Sequence, residues 1–168
     1  QRDANSERRN LNMFVVSEDN FGKLTTANTT IKNNLKTWLN NYRMLSDTID
    51  ILDAFVFNFG IDFVVTPASG VDKFDLLRRC SDAVSNMFNT PFFIGESINI
   101  ADIYSTLSKV SGVLDVVKIK INNKTGSNYS NVQFNVNDNI SPDGTYVIIP
   151  RNVVAELKFK TDVAGKIR

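Results

Sequence analysis

Histidine is missing altogether from this 168-residue chain. With it go the commonest general base near neutral pH and the commonest metal-ligating side chain. A histidine-containing catalytic triad or a histidine-ligated zinc centre is therefore excluded within these residues. There is one cysteine, Cys80, which rules out a disulfide framework. No apolar run approaches the roughly 20 residues that a membrane-crossing helix needs. Neither glycine-rich phosphate-cradling pattern, GxGxxG or GxxxxGK followed by Ser or Thr, occurs. An excess of one charge is lacking too: 19 basic residues meet 18 acidic ones, for a net charge of +1, and nothing in that balance points to a nucleic acid or an anionic membrane. The opening stretch QRDANSERRN is polar and has no apolar core of a signal peptide. Beginning with Gln, the chain reads as a fragment or processed product of something longer.

What is present is pattern. The chain is 42% hydrophobic, enough for a sizeable core. Leu11 to Ser17 reads as a short strand, with Met13, Phe14, Val15 and Val16 apolar on both faces as in a central strand. Thr29 or Thr30 can cap a helix on which Ile31, Leu35, Trp38, Leu39 and Tyr42 form the apolar stripe. Lys32, Asn33, Lys36, Asn40 and Asn41 form its wet face; the helix ends near Arg43 to Leu45, and Ser46 to Thr48 turn the chain. Phe55, Phe57, Phe59, Ile61, Phe63 and Val65 then occupy alternate positions. That period of two predicts a long strand with one fully apolar face, with Gly60 marking a bulge. A second helix, capped by Ser69 or Asp72, turns Phe74, Leu77, Cys80, Val84, Met87 and Phe88 inward and stops before Pro91. A connector follows, anchored by Phe92, Phe93 and Ile94.

The stretch SINIADIYSTLSKVSGVLDVVKIKINNKTG, Ser97 to Gly126, changes period partway. Asn99 is a fitting N-cap with Asp102 in the first turn, and Ile103, Tyr104, Leu107 and Val110 make a helical stripe. Gly112 stands where helices commonly end in a left-handed residue. Val117, Ile119 and Ile121 then alternate with Lys118, Lys120 and Asn122, a strand with one wet face. A polar loop runs to Asn131, Val132, Phe134 and Val136 predict a short strand, SPDGT is a turn, and YVIIP and VVAELKF read as two more strands. The element order predicts an α+β, two-layer domain: a ferredoxin-like split β-α-β sheet with helices on one face and a small C-terminal β extension. In domain terms, 1–10 is a flexible lead-in, 11–131 the α+β domain and 132–168 the β extension packed on it.

Candidates for chemistry are few. Cys80 lies on the apolar stripe of its helix, the place of a structural cysteine, with no group beside it to lower its pKa. Asp47, Asp50 and Asp53 recur every three residues without the glycine of a calcium loop, so they read as an ordinary turn. Glu96, just ahead of a helix, reads as cap support. The glycosylation sequons at Asn28, Asn123 and Asn128 read as chance matches in an Asn-rich chain. The Phe-rich strand would suit an RNA-binding sheet if its aromatics were exposed, but they share a face with Ile61 and Val65, as core residues do.

One stretch carries a resemblance. NLKTWLNNYRMLSDTIDILDAFVFNFGIDFVV, Asn34 to Val65, resembles the corresponding segment of baseplate wedge proteins of T-even-like contractile-tailed phages, within the baseplate J-like family. The shared pattern is a helix ending near a basic residue (Leu35 to Arg43), a turn (Ser46 to Thr48) and a long alternating strand (Ala54 to Val65). Gly95 and Glu96, the helix Ile103 to Val110, and Gly112 with Val113 follow in the family's order and spacing. The similar part covers about Leu11 to Asn131, and the C-terminal strands match less closely. The resemblance implies a structural protein and no enzyme, without cofactor or metal. It implies a part of the virion tail baseplate, assembled in the host cytoplasm. There it would self-associate as a homo-oligomer, as a dimer first, and bind other wedge proteins in the ring around the tail hub that controls sheath contraction. No nucleic acid or membrane partner is implied. Within this picture the polar side of the strand after Gly112 and the loop beyond it are the expected subunit contact, through Lys118, Lys120, Asn122, Lys124 and Tyr129. The alternative is a small ferredoxin-like ligand- or RNA-binding module.

Overall fold

A computed structural model describes residues 9–44 and 47–168. The lead-in expected over 1–10 falls outside them but for its last two residues, as do Leu45 and Ser46 of the expected turn. The described chain is mixed α+β, with three α-helices and several sheets. It divides into two compact units, Gln1–Phe55 and Val56–Arg168.

In the first unit, β1 (Arg9–Val15) pairs in parallel with β4 (Asp47–Asp53), Met13 beside Ile51. Between them in the chain come a small hairpin, β2 (Ser17–Glu18) with β3 (Leu24–Thr25), and helix α1 (Thr29–Asn40). Among the described residues β1 has one neighbour only, so it is not the central strand that its apolar run predicts, and Leu11 and Met13 stay partly open. Asn28 caps α1, its side-chain oxygen accepting from Thr30 N at 2.9 Å, one residue ahead of the expected Thr.

The helix is also rolled away from expectation. Lys32 pairs with Asp53 at 2.8 Å and Lys36 with Asp50 at 3.5 Å, so part of the supposed wet face looks toward β4. Leu35 and Leu39 are half-buried, whereas Ile31, Trp38 and Tyr42 are 58%, 57% and 72% exposed. Lysine explains the roll: its aliphatic stem lies against apolar surface while its ammonium reaches a carboxylate, and β4 carries Asp50 and Asp53 where that reach is satisfied.

The second unit is organised by β5 (Phe55–Pro67). β10 (Val163–Ile167) runs parallel along one side of it and β7 (Val113–Asn123) antiparallel along the other; β9 (Val153–Glu156) also pairs with it. Phe57, Phe59, Ile61, Phe63 and Val65 are all buried, as the alternation predicts, but Phe55 at the start of the strand is 53% exposed. They meet Leu76, Cys80 and Val84 of α2 (Lys73–Met87) and Ile103 and Leu107 of α3 (Ile100–Ser108) in one core. Phe59 takes Phe88 edge-on at 5.5 Å, and Phe57 meets Phe134 at 4.5 Å. β6 (Ile98–Asn99) pairs with β8 (Tyr146–Val147), placing buried Ile98 beside buried Val147.

Several local expectations change. Asp72 rather than Ser69 caps α2, accepting from Phe74 N at 2.9 Å. Phe74 is 85% exposed, because Leu76, Cys80 and Val84, each one turn on, define the buried line and put residue 74 on the opposite side. Tyr104 and Phe93 are exposed as well. The bulge falls on β7, not at Gly60: Val64 opposes Lys118 but Val65 opposes Val116, so Val117 is left over. One extra residue reverses the alternation; Val116 is buried and Val117 exposed. Residues 132–136 alternate in burial, with Phe134 and Val136 turned in, but form no ladder. α3 ends earlier than expected, at Ser108 with Lys109 as its right-handed C-cap, so Gly112, at φ of +96°, serves the turn into β7 rather than the helix end; α3 is capped at its start by Asn99, whose side chain accepts from Ala101 N at 3.1 Å.

β10 arises from VAGKI, which has no clean apolar alternation. Its glycine has a packing reason: a Cβ at Gly165 would lie 2.8 Å from Leu77 and run into the Phe63 ring. Gly165→Ala is therefore expected to destabilise the protein by about 1–3 kcal/mol through overpacking, read as a lowered urea midpoint. A midpoint unchanged from the parent chain would contradict this close approach.

Candidate functional site

The two faces of β5 have different fates. Its odd-numbered residues from Phe57 to Val65 enter the core, and on the even-numbered face Asn58 and Gly60 are buried while Asp62 is exposed. Asn58 ties down the covered half. Its amide nitrogen donates to Glu156 Oε2 at 2.7 Å, its side-chain oxygen accepts from Ser130 N at 2.7 Å, and its carbonyl accepts from Lys124 N at 2.8 Å. The polar loop after β7 is thereby drawn back over the sheet. Tyr129 completes the closure: its hydroxyl donates to Oδ1 of buried Asp162 at 2.7 Å, and its ring meets Phe159 edge-on at 5.6 Å. The Lys124 ammonium lies 4.0 Å from the same carboxylate. Gly60 makes room, since a Cβ there would come within 2.9 Å of the Asp162 carbonyl oxygen and collide with the Lys124 side chain.

The five residues expected at a subunit contact thus separate. Lys124 and Tyr129 are half-buried and serve the chain's own loop, and half-buried Asn122 donates its amide to Asp62. Lys118 and Lys120 are exposed. The structure adds a third cation to them, Lys166 of β10. Val64 has Lys118 as its register partner on one side and Lys166 on the other, and Asp62 has Lys120 and Ala164. These residues, with Phe63, line a shallow depression of about 210 Å³. Among the described residues none of the three lysines forms an ion pair. Lys166 escaped sequence reasoning because the pairing of β10 with β5 joins residues about a hundred positions apart, and no local signal reports it.

The remaining candidates are structural. Cys80 is fully buried and burial pushes its thiol pKa up, the opposite of what a nucleophile needs. Asp50 and Asp53 sit on β4 and are matched by lysines of α1, and Asp53 also accepts from Ala27 N at 3.2 Å. Glu96 accepts from Phe93 N at 2.7 Å within its own turn. Among the described residues no three His, Cys, Asp or Glu side chains gather as a metal site would require, and no helix is long and apolar enough to cross a membrane.

No protein-family model matches the chain, and no curated protein matches it.

Tyr129 gives a pH-dependent test of the closure. The bond to Asp162, then burial and the Asp162 charge, raise its phenol above the ordinary value of 10.0. The folded state holds this proton more tightly than the unfolded one, so its stabilisation is complete below pH about 10 and fades as pH rises through the folded value. Tyr129→Phe is expected to cost about 1–3 kcal/mol at neutral pH, because buried Asp162 loses a donor. It should also flatten the fall in urea midpoint between pH 9 and 11. A variant as stable as the parent, with the same alkaline slope, would show that the bond does not hold the loop. Cys80 in the folded chain should resist a thiol reagent at pH 7 and react promptly in denaturant; equal rates would place the thiol at the surface.

Proposed function

We infer that this chain is a structural assembly protein, a component of a contractile phage tail baseplate wedge that self-associates and binds other wedge proteins around the tail hub. The observation that carries the reading is the open stripe on α1. Ile31 and Trp38 lie on one side of the helix, and Tyr42, in the turn just past its C-cap, brings its ring to 4.8 Å from that of Trp38. By itself the first unit leaves this stripe uncovered. Large aromatic side chains are enriched where proteins meet, because they bury much area at little entropic cost, and contiguous exposed apolar surface commonly marks an interaction site. The family pattern from Leu35 to Val65 includes this helix, so resemblance and exposure support the same reading. The virion is the corresponding location.

The finer architecture belongs to the same proposal. Antiparallel β5 and β7, with α2 and α3 between them in the chain and packed in one core, support a ferredoxin-like split β-α-β layout with helices on one face. The strands after residue 132 would be the extension. The RNA-binding alternative calls for an exposed aromatic sheet, and Phe57, Phe59 and Phe63 are buried. Lys118 and Lys120 remain suited to a contact; Asn122, Lys124 and Tyr129 act through the loop they hold.

Sedimentation velocity over a wide concentration range tests the self-association. A discrete dimer or larger closed oligomer is expected. Ile31→Ser with Trp38→Ser should return it to monomer, with a stability change of no more than about 1 kcal/mol, since both side chains are largely exposed. A parent chain that stays monomeric throughout, or an oligomer indifferent to these substitutions, would overturn the role given to α1.

A further inference from the structure

We propose that the open half of the β5 sheet face is a docking site for an acidic protein segment, held between Lys118, Lys120 and Lys166. The proposal stands on the geometry of this sheet and does not require the baseplate reading. Three strands bring the cations together. Lys118 and Lys166 flank Val64 from either side, a separation of about 10 Å at the backbone, or two strand spacings. Lys118 and Lys120 stand about 7 Å apart along β7. That second distance is also the spacing of alternate residues in an extended chain, so carboxylates at positions i and i+2 of such a segment match this pair. Lys166 then faces the segment from the far side of Val64.

The floor decides which anion fits. It consists of Val64 and Ala164 with the Phe63 backbone between them, and Asp62 is the one acid lining it. Asp62 is already engaged by the Asn122 amide. Nothing described neutralises the lysines, so the depression carries a net positive charge over apolar ground. An acidic side chain, with a methylene stem under its carboxylate, meets both requirements. A nucleic acid would call for a longer basic track or stacking aromatics, and Phe57, Phe59 and Phe63 of β5 point into the core. Lysines and a bulge on an outer strand also discourage indiscriminate edge pairing, which leaves charge as the basis of selection.

The test uses the whole chain, isotopically labelled, titrated with a hexaglutamate peptide at low salt, with a neutral Gly-Ser peptide and hexauridylate as comparisons. Saturable binding of hexaglutamate is expected, with amide shifts concentrated at residues 62–64, 118–120 and 164–166. It should weaken steeply with salt. Lys118→Glu together with Lys166→Glu should weaken it about tenfold or more, while Lys73→Glu with Lys109→Glu should leave it unchanged. If the reversed pair disturbs folding, Lys118→Gln with Lys166→Gln should give the same direction of change. Absence of saturable binding, shifts spread evenly over surface lysines, or indifference to the Lys118 and Lys166 substitutions would overturn the proposal. Tighter binding of hexauridylate at the same residues would overturn it in favour of a nucleic-acid surface. Because sedimentation reports on α1 and this titration on the sheet, failure of either leaves the other standing.

Discussion

The second unit rests on a single constraint: one face of β5 is apolar at every position from Phe57 to Val65, and it must be kept from water. Five side chains of that size cannot be covered by one partner. α2 supplies Leu76, Cys80 and Val84, α3 supplies Ile103 and Leu107, and the segments after β7 supply Phe134 and Val136. At about 25 cal/mol for each Å² of apolar surface removed from water, such a face outweighs any local propensity around it. The smaller features answer to the same need. Gly165 is bare because Phe63 fills the space its Cβ would take. The β7 bulge turns Val116 rather than Val117 inward, onto the same core.

The opposite face of β5 shows how one strand can be both structural and available. Toward its start, Asn58 is buried, with its side-chain nitrogen and oxygen bonded to Glu156 and Ser130 and its backbone carbonyl to Lys124. Tyr129 and Asp162 close the loop over Gly60. Beyond Gly60 the covering stops, and Asp62, Val64 and the neighbouring lysines meet solvent. The division falls where the loop ends, so the loop that was expected to reach outward instead defines the edge of the open surface.

In the first unit, polar pairing overrides amphipathicity. A helix with Ile31, Leu35, Trp38 and Tyr42 on one side would ordinarily bury that side. Here two lysines on a neighbouring side meet two aspartates of β4, and only Leu35 and Leu39 pack. Partly exposed ion pairs are individually worth little, so the orientation is a modest preference. The open stripe is consequently the part of the unit with most to gain from a further surface.

Much of the fold was legible residue by residue, because some signals depend only on the chain's own neighbours. The alternation from Phe57 to Val65, the caps at Asn99 and Asp72, and the left-handed Gly112 are of this kind: backbone geometry and side-chain chemistry act within a few residues. The absence of histidine likewise excluded, without any structure, a histidine-containing triad or a histidine-ligated metal centre within these residues. Other features needed the tertiary structure. The roll of α1 depended on acids in another element, and the bulge at Val117 on the register against β5. Lys166 joined Lys118 and Lys120 only through parallel pairing of distant strands, and Lys124 and Tyr129 turned inward because Asp162 waited across the sheet. Periodicity states which side of an element is apolar; what that side meets is decided by packing against residues far along the chain.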